Sequence, residues 1–172
     1  MPNTTILVTG HPGVGKTTII KQVIVQLAQP AGGFYTEEIR DNGARAGFKI
    51  VTLDGRAGVL AHTNIRSRNR IGRYAVDIAV VDTLAVDSIR RAAASNQIVV
   101  IDEIGPMELF SSLFYQIVLE TLQTNAVVLA TIVKRRHPAA DRIKALPNVK
   151  LLEATIENRD IIAQNILTLL SE

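Results

Sequence analysis

An α/β layered fold, a mainly parallel sheet with helices on its faces, is predicted by two observations. Along the 172 residues, β-branched runs of strand length alternate with segments whose apolar residues recur at helical spacing. The first of each kind, residues 4–9 and the helical pattern of Ile20, Val23, Ile24 and Leu27, meet across a glycine-rich loop, Gly10-His11-Pro12-Gly13-Val14-Gly15-Lys16-Thr17. A glycine loop that ends a strand and opens a helix is the usual ligand-facing turn of a parallel sheet.

The remaining elements follow in order. Ala31-Gly32-Gly33 interrupts the pattern, and residues 34–39 read as the second strand. Asp41-Asn42-Gly43 and Asp54-Gly55 are turns, which makes residues 47–53 and 58–61 antiparallel returns, a hairpin addition to the sheet. Residues 62–73 are polar and carry Arg66, Arg68, Arg70 and Arg73, a composition that predicts a mobile loop. Residues 74–81 return to strand, and Asp82 is placed to cap a helix ending near Ala94. Residues 97–101 and 126–133 are apolar strands, 109–122 and 139–146 helices, 149–152 a short last strand, and 158–170 an amphipathic helix. No repeat, linker or low-complexity tract divides the chain, so residues 1–172 are expected to form one domain.

Composition narrows the function classes. Hydrophobic residues at 47% with 20% charged predict an ordinary buried core rather than disorder. A net charge of +3 and 4% aromatics are too little for a dedicated nucleic-acid binder, so a nucleic-acid partner is disfavoured. Without cysteine there is no disulfide framework, thiolate metal site or cysteine nucleophile. The segment Met1-Pro2-Asn3-Thr4-Thr5 has no basic stretch and runs into a strand, and no apolar run reaches membrane-spanning length. A cytoplasmic protein without a membrane partner is expected, a monomer for preference.

Gly10 to Thr17 fit the phosphate-binding pattern G-x-x-x-x-G-K-[ST], which arises by chance in about one chain per hundred. Its chemistry assigns each position. The glycines let the backbone curl so that N–H groups point at phosphate oxygens, and Pro12 stiffens a turn where no N–H is needed. Lys16 reaches the β- and γ-phosphates, and the Thr17 hydroxyl holds Mg²⁺. The positive helix end, where Thr18 follows, adds to the attraction. The partner motif is Ile98-Val99-Val100-Ile101-Asp102-Glu103, four apolar β-formers and two acids. Such a strand delivers Asp102 to the carboxyl edge of the sheet, opposite Thr17, as a metal carboxylate. Glu103, pointing to the other side, is placed to polarise an attacking water. Asp102-Glu103-Ile104-Gly105 also fits the D-x-x-G of switch GTPases, but no N-K-x-D follows, so loose base selection is expected instead.

Five segments carry a resemblance. They are Thr9 to Thr18; Gly33-Phe34-Tyr35-Thr36-Glu37-Glu38-Ile39-Arg40; Gly47-Phe48-Lys49-Ile50-Val51-Thr52; Ile101 to Gly105 with Met107-Glu108-Leu109-Phe110; and Glu157-Asn158-Arg159. In these the chain resembles the THEP-type nucleoside-triphosphatase family, with Pro106 standing where relatives often carry lysine. The resemblance implies a three-layer P-loop fold with a RecA-like sheet, of the class whose catalytic glutamate follows the Mg²⁺ aspartate. It also implies slow Mg²⁺-dependent hydrolysis of ATP, GTP, CTP, UTP and TTP to diphosphate and phosphate, with diphosphates poorer substrates.

Other residues have two readings each. Lys134-Arg135-Arg136-His137 follow a strand at the expected γ-phosphate edge; an arginine there stabilises transition-state charge, or the run is a solvated basic loop. Thr131 is a γ-phosphate sensor or a buried β-former. The arginines of 62–73 are a lid, a weak RNA patch or plain surface. Glu37 and Glu38, beside Tyr35, bind an acceptor or pair with Arg40. Asn158 and Arg159 touch the base, or Asn158 caps the last helix. His11, His62 and His137 lack metal-ligand spacing. Two rival functions remain beside hydrolysis. One is a small-molecule, nucleoside-type kinase using Glu37 or Glu38 for its acceptor; the other is a nucleotide-controlled binding module.

Overall fold

A computed structural model describes residues 4–172. Met1, Pro2 and Asn3, part of the amino-terminal segment read above as free of a targeting signal, lie outside the described residues. The chain begins with β1 (Thr5–Thr9), buried throughout, and the glycine loop leads straight into α1 (Lys16–Gln26). Five strands pair in parallel: β1, β2 (Ala31–Asp41), β7 (Ile98–Ile104), β8 (Val128–Ile132) and β9 (Val149–Glu153). Their spatial order is β2-β7-β8-β1-β9, so β8 is inserted between the phosphate-loop strand and the acidic strand. That insertion is the RecA-like arrangement expected from the resemblance.

The strand period of two explains the three layers. Ile6, Val8, Ile98, Val100 and Leu129 face α1 and the carboxyl-terminal α6 (Arg159–Ser171) through Ile19, Ile20, Val23, Ile162 and Ile166. Leu7, Val99, Ile101, Val128 and Ala130 point the other way. They meet α3 (Val86–Ala94), α4 (Ser112–Gln123) and α5 (Pro138–Lys144) through Ile89, Phe114, Val118 and Ile143. Among the described residues no helix is long and apolar enough to cross a membrane.

The antiparallel addition is larger than a hairpin. β2 pairs in parallel with β7 over Ala31 to Phe34, then bends into antiparallel pairing with β3 (Ala44–Thr52). β4 (Ala57–His62), β6 (Tyr74–Val76) and β5 (Arg70–Ile71) continue the sheet outward. Gly33 does not interrupt the strand as the sequence suggested. It sits inside β2 at φ 112°, where a Cβ would lie 2.0 Å from the Val100 carbonyl oxygen. Only glycine lets the two strands approach there.

Two further expectations change. The strand expected over 74–81 stops at Val76, because the Asp77 side chain accepts from the Ala79 N–H at 3.0 Å and starts a helix, α2 (Ile78–Val80). It runs on through a π-helical turn (Val81–Ala85) into α3. Asp82 is therefore inside the helix and not its cap; its carboxylate accepts from Ser111 instead. Ser111 in turn caps α4, accepting from the Phe114 N–H at 2.9 Å, and the preceding Glu108–Phe110 is a 3₁₀ turn. Within residues 62–73, expected as a loop, Arg70 and Ile71 form β5. Arg70 donates to the Arg73 carbonyl at 3.0 Å and Arg73 to the Arg45 carbonyl at 2.7 Å, which ties the segment to β3.

Candidate active site

The glycine loop wraps the end of β1. Gly13 and Gly15 adopt φ 80° and 105° with open space where a Cβ would stand, so the loop backbone turns inward without side chains crowding it. Val14 anchors the loop in the core beside α1, while His11, Pro12 and Thr18 are exposed. The first turn of α1 has no side-chain cap and no acidic residue, leaving its N–H groups and positive end for an anion. The Lys16 ammonium folds over the loop, donating to the Gly10 carbonyl at 3.0 Å and the His11 carbonyl at 3.4 Å.

Asp102 arrives on β7, two strands from β1 in the same sheet. Its side chain is 1% exposed, and Oδ1 accepts from the Thr131 hydroxyl at 2.5 Å. The second reading of Thr131 needs refinement: it is buried, and its hydroxyl orients Asp102. Burial pushes the Asp102 carboxyl up, while the hydroxyls of Thr131 and Thr17 and the Lys16 charge pull it down. Oδ2 is buried without a hydrogen-bond partner. Mg²⁺ takes oxygen ligands, commonly one or two from protein, and completes its shell with water and substrate phosphate. A buried carboxylate oxygen lacking a partner, on a carboxyl that also feels the Thr17 hydroxyl, fits that donor set.

Strict alternation would send Glu103 to the opposite face from Asp102. The β7–β8 ladder instead slips between Ile101 and Ile104, an irregularity that re-aims side chains. The intervening Asp102–Glu103 peptide is cis. Glu103 feels Lys16 and Asp102 together. Burial raises its pKa most, the Lys16 charge lowers it, Asp102 raises it and Arg135 lowers it. Arg135 is thus within electrostatic reach of the site, although its side chain is exposed. Nothing places Arg136 there. Lys134 is engaged in an ion pair with Glu153 and lies 3.3 Å from the His11 ring, spanning the loop rather than pointing into it.

One residue was not singled out by its sequence. Glu108 is 4% exposed, and its pKa is pushed well up by burial and by the neighbouring Glu103 and Asp102 charges. Only a segment match drew attention to it, since burial of an acid on a turn cannot be read from spacing. Conversely, Glu37 and Glu38 are committed to ion pairs. Glu37 meets Lys21 at 3.1 Å and Lys49 at 3.3 Å; Glu38 meets Arg40 at 2.8 Å and Arg45. The Lys21 ammonium also stands 4.5 Å over the Tyr35 ring.

The loop between β9 and α6 borders the phosphate loop, Ala154 N–H donating to the Thr9 carbonyl at 2.8 Å. Asn158 holds that loop together. Its Oδ1 accepts from the Thr155 N–H and its Nδ2 donates to the Glu153 carbonyl, each at 2.8 Å. Both ends of the amide are used, while the Arg159 side chain is exposed beside it.

Comparison with known proteins agrees with this geometry. A family model described as NTPase matches residues 5–167. The nucleoside-triphosphatase THEP1 of Thermotoga petrophila is 46% identical, covering 96% of this chain and 92% of that protein. The crystal structure of THEP1 from Aquifex aeolicus superposes with a TM-score of 0.91 at 39% identity, over 98% of this chain and 100% of that one. The solution structure of a human cancer-related nucleoside triphosphatase gives 0.85 at 38% identity, over 97% of both chains. With the family model spanning residues 5–167 and relatives matched over nearly the whole chain, the chain belongs to the NTPase family.

Proposed function

We propose that this protein hydrolyses the terminal anhydride of nucleoside triphosphates with Mg²⁺, accepting ATP, GTP, CTP, UTP and TTP alike. The observation that carries the reading is the convergence of Lys16, Thr17, Asp102 and Glu103 at the mouth of one glycine loop. The loop amides and the α1 terminus hold the phosphate chain, and Lys16 neutralises charge on its terminal oxygens. Thr17 and Asp102 would hold the ion, which when bound offsets charge on the phosphate oxygens. Glu103 orients a water and takes its proton as the water oxygen attacks the γ-phosphorus. The bond from that phosphorus to the β–γ bridging oxygen breaks, and the diphosphate leaves. Arg135 lends positive charge from the β8 side. A diphosphate reaches less of this array, so it is the poorer substrate.

Broad base acceptance is supported by the Asn158 amide, which is engaged at both ends by its own loop. The test is phosphate release across the five triphosphates and their diphosphates, with Mg²⁺ and with a chelator. Values of kcat/KM within about tenfold of each other, or about 1.4 kcal/mol, support the reading. A preference of about 10⁴ for one base, the scale of a dedicated hydrogen-bonding site, refutes it.

A further inference from the structure

Beside Glu103, the antiparallel addition and the segment 103–108 line a cavity of about 160 Å³. Its walls are chemically divided. Phe48 from β3, Leu60 from β4, Ile71 from β5 and Met107 make an apolar body, while Glu103 and Glu108 bring carboxyl groups to its lining. The Phe48 ring is fixed edge-on by Tyr74, with centroids 5.3 Å apart, so one wall is a rigid aromatic surface. Hydrolysis needs room for one water, whose share of liquid volume is about 30 Å³. An apolar cavity of about 150 Å³ holds one benzene ring. The space here is thus that of a single six-membered ring, with carboxyl groups in its wall to meet a polar arm of that ring.

From this division we infer that the cavity is an acceptor site. It takes a single-ring aromatic or heteroaromatic alcohol, ring between Phe48 and Met107 and hydroxymethyl arm at Glu103. The inference rests on the hydrolase reading and deepens it: the γ-phosphoryl group passes to the alcohol as well as to water. The alcohol oxygen forms a bond to the γ-phosphorus. The bond from that phosphorus to the β–γ bridging oxygen breaks, its electron pair leaves on the diphosphate, and the hydroxyl proton goes to Glu103. The products are a phosphate monoester and a nucleoside diphosphate. The acceptor role moves from Glu37 and Glu38, which are spent in ion pairs, to the carboxylate that lines the cavity. It also gives the arginine-rich segment a task, because its Ile71 closes the apolar wall.

Benzyl alcohol is the probe, with ATP and Mg²⁺, and ³¹P NMR to separate benzyl phosphate from inorganic phosphate. Methanol at the same concentration is the control that cannot fill the ring space. The expected result is at least tenfold more benzyl phosphate than methyl phosphate. Ile71→Phe, which fills the cavity, should cut benzyl phosphate at least tenfold while phosphate release from ATP alone stays within twofold. Ile71→Ala, which leaves the space open, should retain the ester. Only inorganic phosphate in the presence of benzyl alcohol overturns the acceptor site, as does ester formation unchanged by Ile71→Phe. If ATP alone yields no phosphate with Mg²⁺, the hydrolase reading falls and the acceptor site with it. If ATP alone is hydrolysed and no ester forms, the acceptor site falls alone.

Discussion

Replacing Thr131 tests whether one buried hydroxyl holds the Asp102 carboxylate in place. Its side chain is 0% exposed and that of Asp102 is 1% exposed, with 2.5 Å between the two oxygens. Deleting the Thr131 donor removes the hydrogen bond that Oδ1 accepts, in an interior where Oδ2 has no close partner. An unsatisfied buried acceptor costs about 1–3 kcal/mol, more where the group is charged. Thr131→Val conserves shape and removes only the hydroxyl, so it should destabilise by about 2–3 kcal/mol. For a domain of this size that is a fall in Tm of about 4–12 °C. Thr131→Ser keeps the donor and loses one buried methyl, about 0.8 kcal/mol. The two substitutions therefore separate hydrogen bonding from packing by their order. Urea unfolding and thermal melts of both variants without nucleotide provide the comparison, and kcat should fall further in the Val variant than in the Ser variant. A Val variant as stable as the Ser variant, or more so, refutes the role assigned to this hydroxyl.

Four other substitutions have defined outcomes. Lys16→Ala should abolish tight triphosphate binding in calorimetry, since the backbone cradle alone leaves the terminal phosphate charge uncompensated; unchanged affinity would remove the phosphate-loop assignment. Glu108 binds its proton more tightly folded than unfolded, because burial raises its pKa. Its effect on stability is absent below the unfolded value of about 4.3 and becomes a loss as pH rises above it. Glu108→Gln should therefore gain stability over wild type in urea unfolding at pH 8 and not at pH 4, and an equal difference at both pH values contradicts the buried-acid account. Arg135→Ala should lower kcat by about tenfold or more, short of the ~10³–10⁵ of an inserted arginine, while Arg136→Ala stays within twofold; equal effects would return both to the solvated basic loop.

The legible parts of this site are those fixed by local spacing. The loop from Gly10 to Thr17 and the strand ending in Asp102 each carry their chemistry within eight residues, and the structure places Lys16, Thr17 and Asp102 together. What escaped depends on distant partners. Asp77 and Asp82 both precede apolar residues at helical spacing, and the choice of cap is decided by Ser111, whose hydroxyl occupies Asp82. Gly33 reads locally as a break, yet its reason is the Val100 backbone 67 positions on. The slip in the β7–β8 ladder between Ile101 and Ile104, which spans Glu103, breaks an alternation that sequence alone would have kept. Glu108 is an acid on a turn until four antiparallel strands fold over it and make the cavity. In each case a short-range pattern was outweighed by a contact between elements far apart in the chain.

The central claim is that Glu103 activates the nucleophile, and Glu103→Gln tests it most directly. The amide keeps the shape and hydrogen-bonding reach of the side chain but cannot take a proton. Pre-steady-state hydrolysis of Mg²⁺-ATP should show kcat reduced by roughly 10²–10⁴, the range for a positioned general base. Calorimetric affinity for the same complex should stay within a few-fold, and circular dichroism should be unchanged. Near wild-type turnover in the folded variant, or loss of binding and fold together with turnover, would contradict the account.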